Sequence, residues 1–279
     1  MLTQFLIYLC EVSPGARRVL WRWWYERWAK RVGSGEWTFM NYGFAWPAGE
    51  EAPVLQPEDE PDRFCAQLYH RVVEPGNLEG KEVLEVGAGR GGGAAFVVRY
   101  HDPDRLTAVD FSPQAVTFCQ GRHRLANLVF QAGDAEQLPF PDESFDAVIN
   151  VESSHCYGSV PAFLAEVTRV LRPGGGFLYA DLREAPEMAA LAGQLHALPG
   201  MKVCETEDLT SQVAAALRAD HGRKQQMIAQ LIPESQRAMF REFAGLEGSK
   251  IHRNLSNRTL LYHRWFMVKT RSSIPVGDE

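Results

Sequence analysis

The sequence predicts an α/β fold, a mostly parallel, doubly wound sheet covered by helices on both faces. Three observations predict it. Short, nearly continuous apolar runs of β-type residues recur at 83–86, 106–109, 128–131, 147–151 and 177–180. Helical patterns such as PQAVTFCQGRHRL and PAFLAEVTRVL lie between them. Strands that are apolar throughout, and separated by helices, belong to parallel sheets buried on both sides. Finally, the first run ends in a glycine loop that opens a helix, the usual entry of an α/β unit.

Before this pattern begins, residues 1 to 48 are aromatic-rich and hold six of the seven tryptophans. Residues 49–62, GEEAPVLQPEDEPD, are acidic with three prolines and read as an exposed connector. The chain therefore divides into an N-terminal segment with linker, 1–62, and a main domain, 63–279. Within the latter, DLTSQVAAALRAD and PESQRAMFREFAG read as helices of a substrate-covering part, 183–259. The run Leu260–Lys269 alternates and reads as a late strand, antiparallel to the rest.

Composition narrows the function. The 279 residues are 45% hydrophobic, enough to fill a core. A net charge of −6 and a pI near 5.8 argue against a nucleic-acid partner held by phosphate neutralisation. Five dispersed cysteines without a C-x-x-C pair argue against a disulfide framework or structural zinc, and fit a reducing cytoplasm. The apolar start, MLTQFLIYLCEV, lacks a basic leader and is interrupted by Glu11, so it reads as neither a secretion signal nor a membrane span.

The stretch 81–93, KEVLEVGAGRGGG, places five glycines after an acid in the strand. Gly87, Gly89 and Gly92 match G-x-G-x-x-G, which leaves a dinucleotide open. Three carboxylates point elsewhere. Glu85 lies inside the strand, where it can receive a cation but would repel a pyrophosphate. Asp110 closes the next strand, where it can take the hydroxyls of a ribose. Asp134 follows the third strand, where it can accept from an exocyclic amine. An amino-acid zwitterion, a ribose and an adenine satisfy all three, and S-adenosylmethionine has all three. Ala88, Phe111, Gly133, Ala135 and Asn150 complete the expected cofactor-binding set.

At VLEVGAGRGG, AVDFSPQAV, GDAEQLPFPDESFDAV and EVTRVLRPGGGFLYADL, the chain resembles the class I S-adenosylmethionine-dependent methyltransferases, in that family's order. The resemblance implies a seven-stranded Rossmann-like sheet, with an N-terminal helical lid and a late helical insertion. LYHR, HRLANLVF, NVESSHCY and the Trp-rich RRVLWRWWYERW are similar to the phthiotriol dimycocerosate methyltransferases and related natural-product O-methyltransferases. That likeness implies a hydroxyl on a large lipidic or polyketide-type acceptor.

His155 follows the fourth strand, where this fold presents the acceptor. A near-neutral imidazole suits removal of a hydroxyl proton during methyl transfer, and the competing reading is a histidine that only shapes the loop. Glu152 is the second catalytic candidate, and Tyr157 joins His155 on the acceptor side. Asn150 is not followed by the Pro-Pro-aromatic run of exocyclic-amine methyltransferases, so DNA amino methylation is disfavoured. No Asp-Asp-Asn set suits a magnesium ion, and no metal is expected. Trp21, Trp24, Tyr25 and Trp28 share one helical face, with Arg22, Arg27, Lys30 and Arg31 around it. Three readings remain: packing on the main domain, a lid over a greasy acceptor, or contact with a membrane surface. The same helix could support an oligomer. The alternative chemistry is C-methylation of an alkene in a prenyl-type acceptor, for which Arg183, Arg122 and Arg124 are available cations.

Overall fold

The computed structural model describes residues 37–271; the helix expected around Trp21–Trp28 lies outside them. The chain enters α1 (Arg63–Val73), β1 (Glu82–Val86), α2 (Gly92–His101), β2 (Arg105–Asp110), α3 (Pro113–Arg122), β3 (Leu128–Ala132) and β4 (Phe145–Val151). It continues through α4 (Val160–Val170), β5 (Leu171–Glu184), α5 (Ala185–His196), β6 (Met201–Asp208), α6 (Thr210–Ala219), α7 (His221–Leu231), α8 (Glu234–Phe243), α9 (Lys250–Ser256) and β7 (Leu260–Lys269). The seven strands form one sheet in the order β3-β2-β1-β4-β5-β7-β6. The first five are parallel, and β7 runs antiparallel to both of its neighbours.

Helix starts are set by local chemistry. Ser112 caps α3 by accepting from Ala115 N, with Pro113 at the first helical position, and Ser159 caps α4 in the same way through Ala162 N. The sheet separates two cores, and the two-residue period of a strand decides which side chain enters which. Val83 and Ile149 face Leu68, Val72 and Phe96 from α1 and α2. Their neighbours Leu84 and Val148 face Phe163, Val167, Leu191 and Trp265 on the other side. A smaller cluster joins Trp37 to Ile228, Ile232 and Phe240 of α7 and α8.

Two expectations are amended. The part 183–259 is not helical throughout, because it contains β6, whose polar sequence MKVCETED buries only Met201. LRPGG, which the resemblance implies to be a helix stop and turn leading into the fifth strand, ends α4 but already belongs to a fourteen-residue β5, joined to β4 through a register shift between Phe145 and Ala147. Among the described residues, no helix is long and apolar enough to cross a membrane.

Candidate active site

The C-terminal ends of β1, β2, β3 and β4 open onto a cleft enclosing about 1270 Å³ of space that communicates with solvent. Gly87, Ala88, Gly89, Asp110, Phe111, Gly133, Asp134 and Ala135 all line it, so eight of the ten expected cofactor residues meet at one surface. Glu85 and Asn150, the other two, lie beneath that surface and are fully buried.

The glycine loop is tight for two reasons. Gly87 has φ +82°, and a Cβ there would meet Ser153 Oγ at 2.4 Å. Gly93 has no room because Tyr69 packs against it; a Cβ would lie 1.8 Å from the ring. Part of the glycine signal thus serves the approach of protein groups.

Asp110 anchors the loop with both oxygens. Oδ2 accepts from Gly89 N at 2.8 Å and Oδ1 from Ser112 N at 2.9 Å. A carboxylate has about four acceptor positions, so two remain for ribose hydroxyls. Burial pushes the Asp110 carboxyl up to about 6, against the pull of the two amides. Glu85 is costlier. Burial drives it up to about 7, Tyr69 OH donates to Oε1 at 2.7 Å, and Oε2 is buried with no partner. An orphaned carboxylate oxygen of this kind suits an ammonium group, delivered directly or through water. Asn150 donates to Val86 O, Ser153 Oγ and Tyr157 OH at 2.7–2.9 Å, which ties the end of β4 to the glycine loop. Phe111 leaves 39% of its surface exposed beside Asp110. A zwitterion, ribose and adenine fit this set, so these residues would hold S-adenosylmethionine.

The residues expected to face the acceptor follow β4. Glu152 lines the cleft with a left-handed φ of +49°, uncommon for a non-glycine residue and costly to hold. Its Oε1 accepts from Tyr42 N at 2.9 Å, and burial pushes its carboxyl up to about 7. Cys156 and Tyr157 also line the cleft. His155 belongs to the short turn Ser154–Cys156 between these wall residues, with 27% of its side chain exposed. It is not itself part of the described cleft wall. Its Nδ1 is 2.8 Å from Oδ1 of Asp181, a fully buried carboxylate near the end of β5. Burial alone would lower the imidazole. Cys156 and Asp181 outweigh it and hold His155 well above its ordinary value.

Sequence reading missed Asp181, Tyr69 and the segment Thr38–Asn41, which also lines the cleft. Asp181 had a signal, an acid within the apolar run FLYADL. Tyr69 and residues 38–41 had none, because their contacts come from packing without local period. Trp21, Trp24, Tyr25 and Trp28 lie outside the described residues. Among the described residues, no group of three or more His, Cys, Asp or Glu is gathered to hold a metal.

This sheet order, with a glycine loop and three acids at its carboxyl edge, is that of an S-adenosylmethionine-dependent methyltransferase. Residues 84–179 match the methyltransferase domain family. The chain is 39% identical over 260 residues to the phthiotriol/phenolphthiotriol dimycocerosates methyltransferase of Mycobacterium tuberculosis, covering 92% of this chain and 94% of that one. It belongs to that methyltransferase family. It is also 44% identical over 176 residues to a fatty-acid O-methyltransferase of Mycolicibacterium smegmatis, covering 62% and 61% of the two chains. Among solved structures, a putative sarcosine dimethylglycine methyltransferase from Galdieria sulphuraria superposes with TM-score 0.62 at 14% identity, covering 88% and 96% of the two chains. The [4+2]-cyclase SpnF does so with TM-score 0.61 at 20% identity, covering 94% and 96%. At these identities the likeness concerns the fold alone, and the cyclase illustrates that a fold does not fix a reaction.

Proposed function

We propose that the enzyme O-methylates a hydroxyl of a hydrophobic lipid or natural product in the cytoplasm, with His155 as general base. The observation that carries this reading is the His155–Asp181 pair, 2.8 Å apart, on the turn between the cleft-lining residues Ser153 and Cys156. S-adenosylmethionine supplies an electrophilic methyl group. The protein holds it through Glu85, Asp110 and Asp134, and positions the acceptor at Glu152, Cys156 and Tyr157. Asp181 fixes the hydrogen of His155 at Nδ1, so that the hydroxyl proton is taken at Nε2 as the C–O bond forms. Binding both reactants in line contributes much of the rate. The named relatives act on dimycocerosates and fatty acids, which supports an apolar acceptor. The division into an N-terminal cover, 1–62, and a catalytic domain, 63–279, belongs to the same reading, with Trp21, Trp24, Tyr25 and Trp28 shielding the acceptor.

C-methylation of an alkene is favoured by one observation, the half-buried carboxyl of Glu152 in the cleft wall, able to take a proton from a carbocation. Incubation with methyl-labelled cofactor and a panel of lipophilic alcohols and isoprenoids, read by mass spectrometry and NMR, separates the two. A labelled methyl on oxygen supports the first reading, and one on carbon refutes it.

A further inference from the structure

Resting on His155 as the base, we propose that Arg183 is a positioning residue, which carries part of the counter-charge of Asp181 and so limits how firmly that carboxylate holds a proton on the imidazole. Arg183 is one of the three cations available to a prenyl-type acceptor. Its surroundings assign it differently. Only 10% of its side chain is exposed, its Nη1 lies 3.1 Å from Oδ2 of Asp181, and the same nitrogen donates to Leu182 O at 2.7 Å. Its Nη2 donates to Ser154 Oγ at 2.8 Å.

Asp181 has no contact with solvent, and its two oxygens divide their partners. Oδ1 takes His155 Nδ1 and Leu182 N at 2.8 Å each, while Oδ2 takes Ser154 Oγ at 2.6 Å, His155 N at 3.1 Å and Arg183. A carboxylate buried this deeply requires a counter-charge. If His155 were its only neighbour of opposite sign, the pair would rest as imidazolium and carboxylate, and an imidazolium cannot accept a proton. The guanidinium is protonated at every working pH and already supplies the positive charge. It also repels a second positive charge on the far side of the same carboxylate. Ionised Asp181 orders the imidazole through a hydrogen bond, and with the guanidinium beside it His155 sheds its proton at lower pH than it would against Asp181 alone.

Among the described residues, Tyr157 and Tyr262 also face Asp181. Cys156 and Glu152 flank His155 on its own loop, Tyr179 OH lies 2.6 Å from Ser154 Oγ, and Glu187 of α5 faces Arg183. None of them carries a permanent positive charge that could replace the guanidinium.

The test follows the His155 ring by NMR in the full-length protein, assigned by its disappearance in His155→Gln. No acceptor is needed. In Arg183→Met, the titration midpoint of His155 moves up by about one pH unit or more, as expected for loss of a like charge within roughly 4–6 Å. Arg183→Lys, which keeps the charge, stays within about half a pH unit of wild type, and Asp181→Asn moves the midpoint down. Arg183→Gln serves the same reading should the Met variant fail to fold. A folded Arg183→Met or Arg183→Gln protein whose midpoint lies within about 0.3 pH units of wild type overturns the proposal and leaves Arg183 a packing residue. The base reading fails separately: if the midpoints move as stated but His155→Gln retains wild-type turnover, tuning stands and general-base catalysis by His155 does not.

Discussion

Replacing Glu85 by glutamine sets stability against binding at one buried oxygen. Glu85 is 1% exposed, and its carboxyl rises from 4.5 to about 7 in the folded protein. At about 1.4 kcal/mol per pH unit, keeping it ionised costs the fold on the order of 3 kcal/mol. The sign follows from the direction of the shift. The folded state binds this proton more tightly than the unfolded state, so wild-type stability falls as pH climbs from about 4.5 to about 7 and changes no further above that. Glutamine keeps the Tyr69 hydrogen bond and removes the charge, though its buried amide retains part of the cost. At pH 8 the variant should melt roughly 5 °C higher than wild type, and the difference should vanish near pH 4. Binding should move the opposite way. A charge-assisted hydrogen bond to the cofactor ammonium is worth about 1.5–3 kcal/mol, so S-adenosylhomocysteine should bind ten- to a hundredfold more weakly. Wild-type affinity should also rise with pH through about 7, because the ammonium favours ionised Glu85, while the variant loses that rise and keeps only the dependence due to Asp110 near 6. Calorimetric titration and thermal melts over pH 5–8 measure both. A Glu85→Gln protein that melts higher but binds S-adenosylhomocysteine within about twofold of wild type would refute the ammonium assignment and leave Glu85 as the anchor of Tyr69.

Three further outcomes are expected. His155→Ala should lower turnover by about 10²–10⁴ with cofactor affinity unchanged, and an effect within about threefold would make His155 structural. Since His155 is held above its ordinary value of 6.5 and a base must be unprotonated, wild-type kcat/KM should rise with pH through a midpoint above 6.5; stopped-time assays across pH 6–10 check this. Gly87→Ala places a Cβ 2.4 Å from Ser153 Oγ on a backbone of φ +82°, so it should destabilise by about 1–3 kcal/mol or more and abolish cofactor binding, read by denaturant melts and calorimetry. Deleting residues 1–35 should raise the acceptor KM more than it lowers kcat, whereas unchanged kinetics in a folded truncation would remove the lid.

Parts of the molecule with local periodicity were legible. The parallel strands and β7 follow from apolar runs that the sheet buries on one or both faces, and α3 and α4 from their Ser-Pro or Ser-x-Pro starts. β6 was not legible, because an edge strand needs little apolar content and MKVCETED reads as solvent. The same holds for α7, HGRKQQMIAQL, which buries only Lys224 and Ile228. The cofactor acids announced themselves as charges at the ends of apolar strands. Asp181 is equally an acid in an apolar strand, but its meaning depends on His155 arriving 26 residues away in sequence. Residues 38–42 form no regular element; the Gly92 N–H donates to Thr38 O and the Tyr42 N–H donates to Glu152 Oε1, and neither partner is visible until the sheet is built.

The place of β7 bears on how the enzyme is made. Asp181 sits in register with His263, and Tyr262 beside it reaches the neighbourhood of Glu152. Residues 260–269 therefore brace both Glu152 and Asp181, yet they leave the ribosome after every other described strand. A nascent chain can complete its cofactor half from β1 to β4 while β5 still presents an open edge, the kind of surface on which unfinished chains associate. Cofactor added during synthesis should settle the first half early without conferring turnover. Activity should appear only after residues 260–269 have emerged and paired, and a stop codon before residue 260 should yield aggregate rather than a slow enzyme.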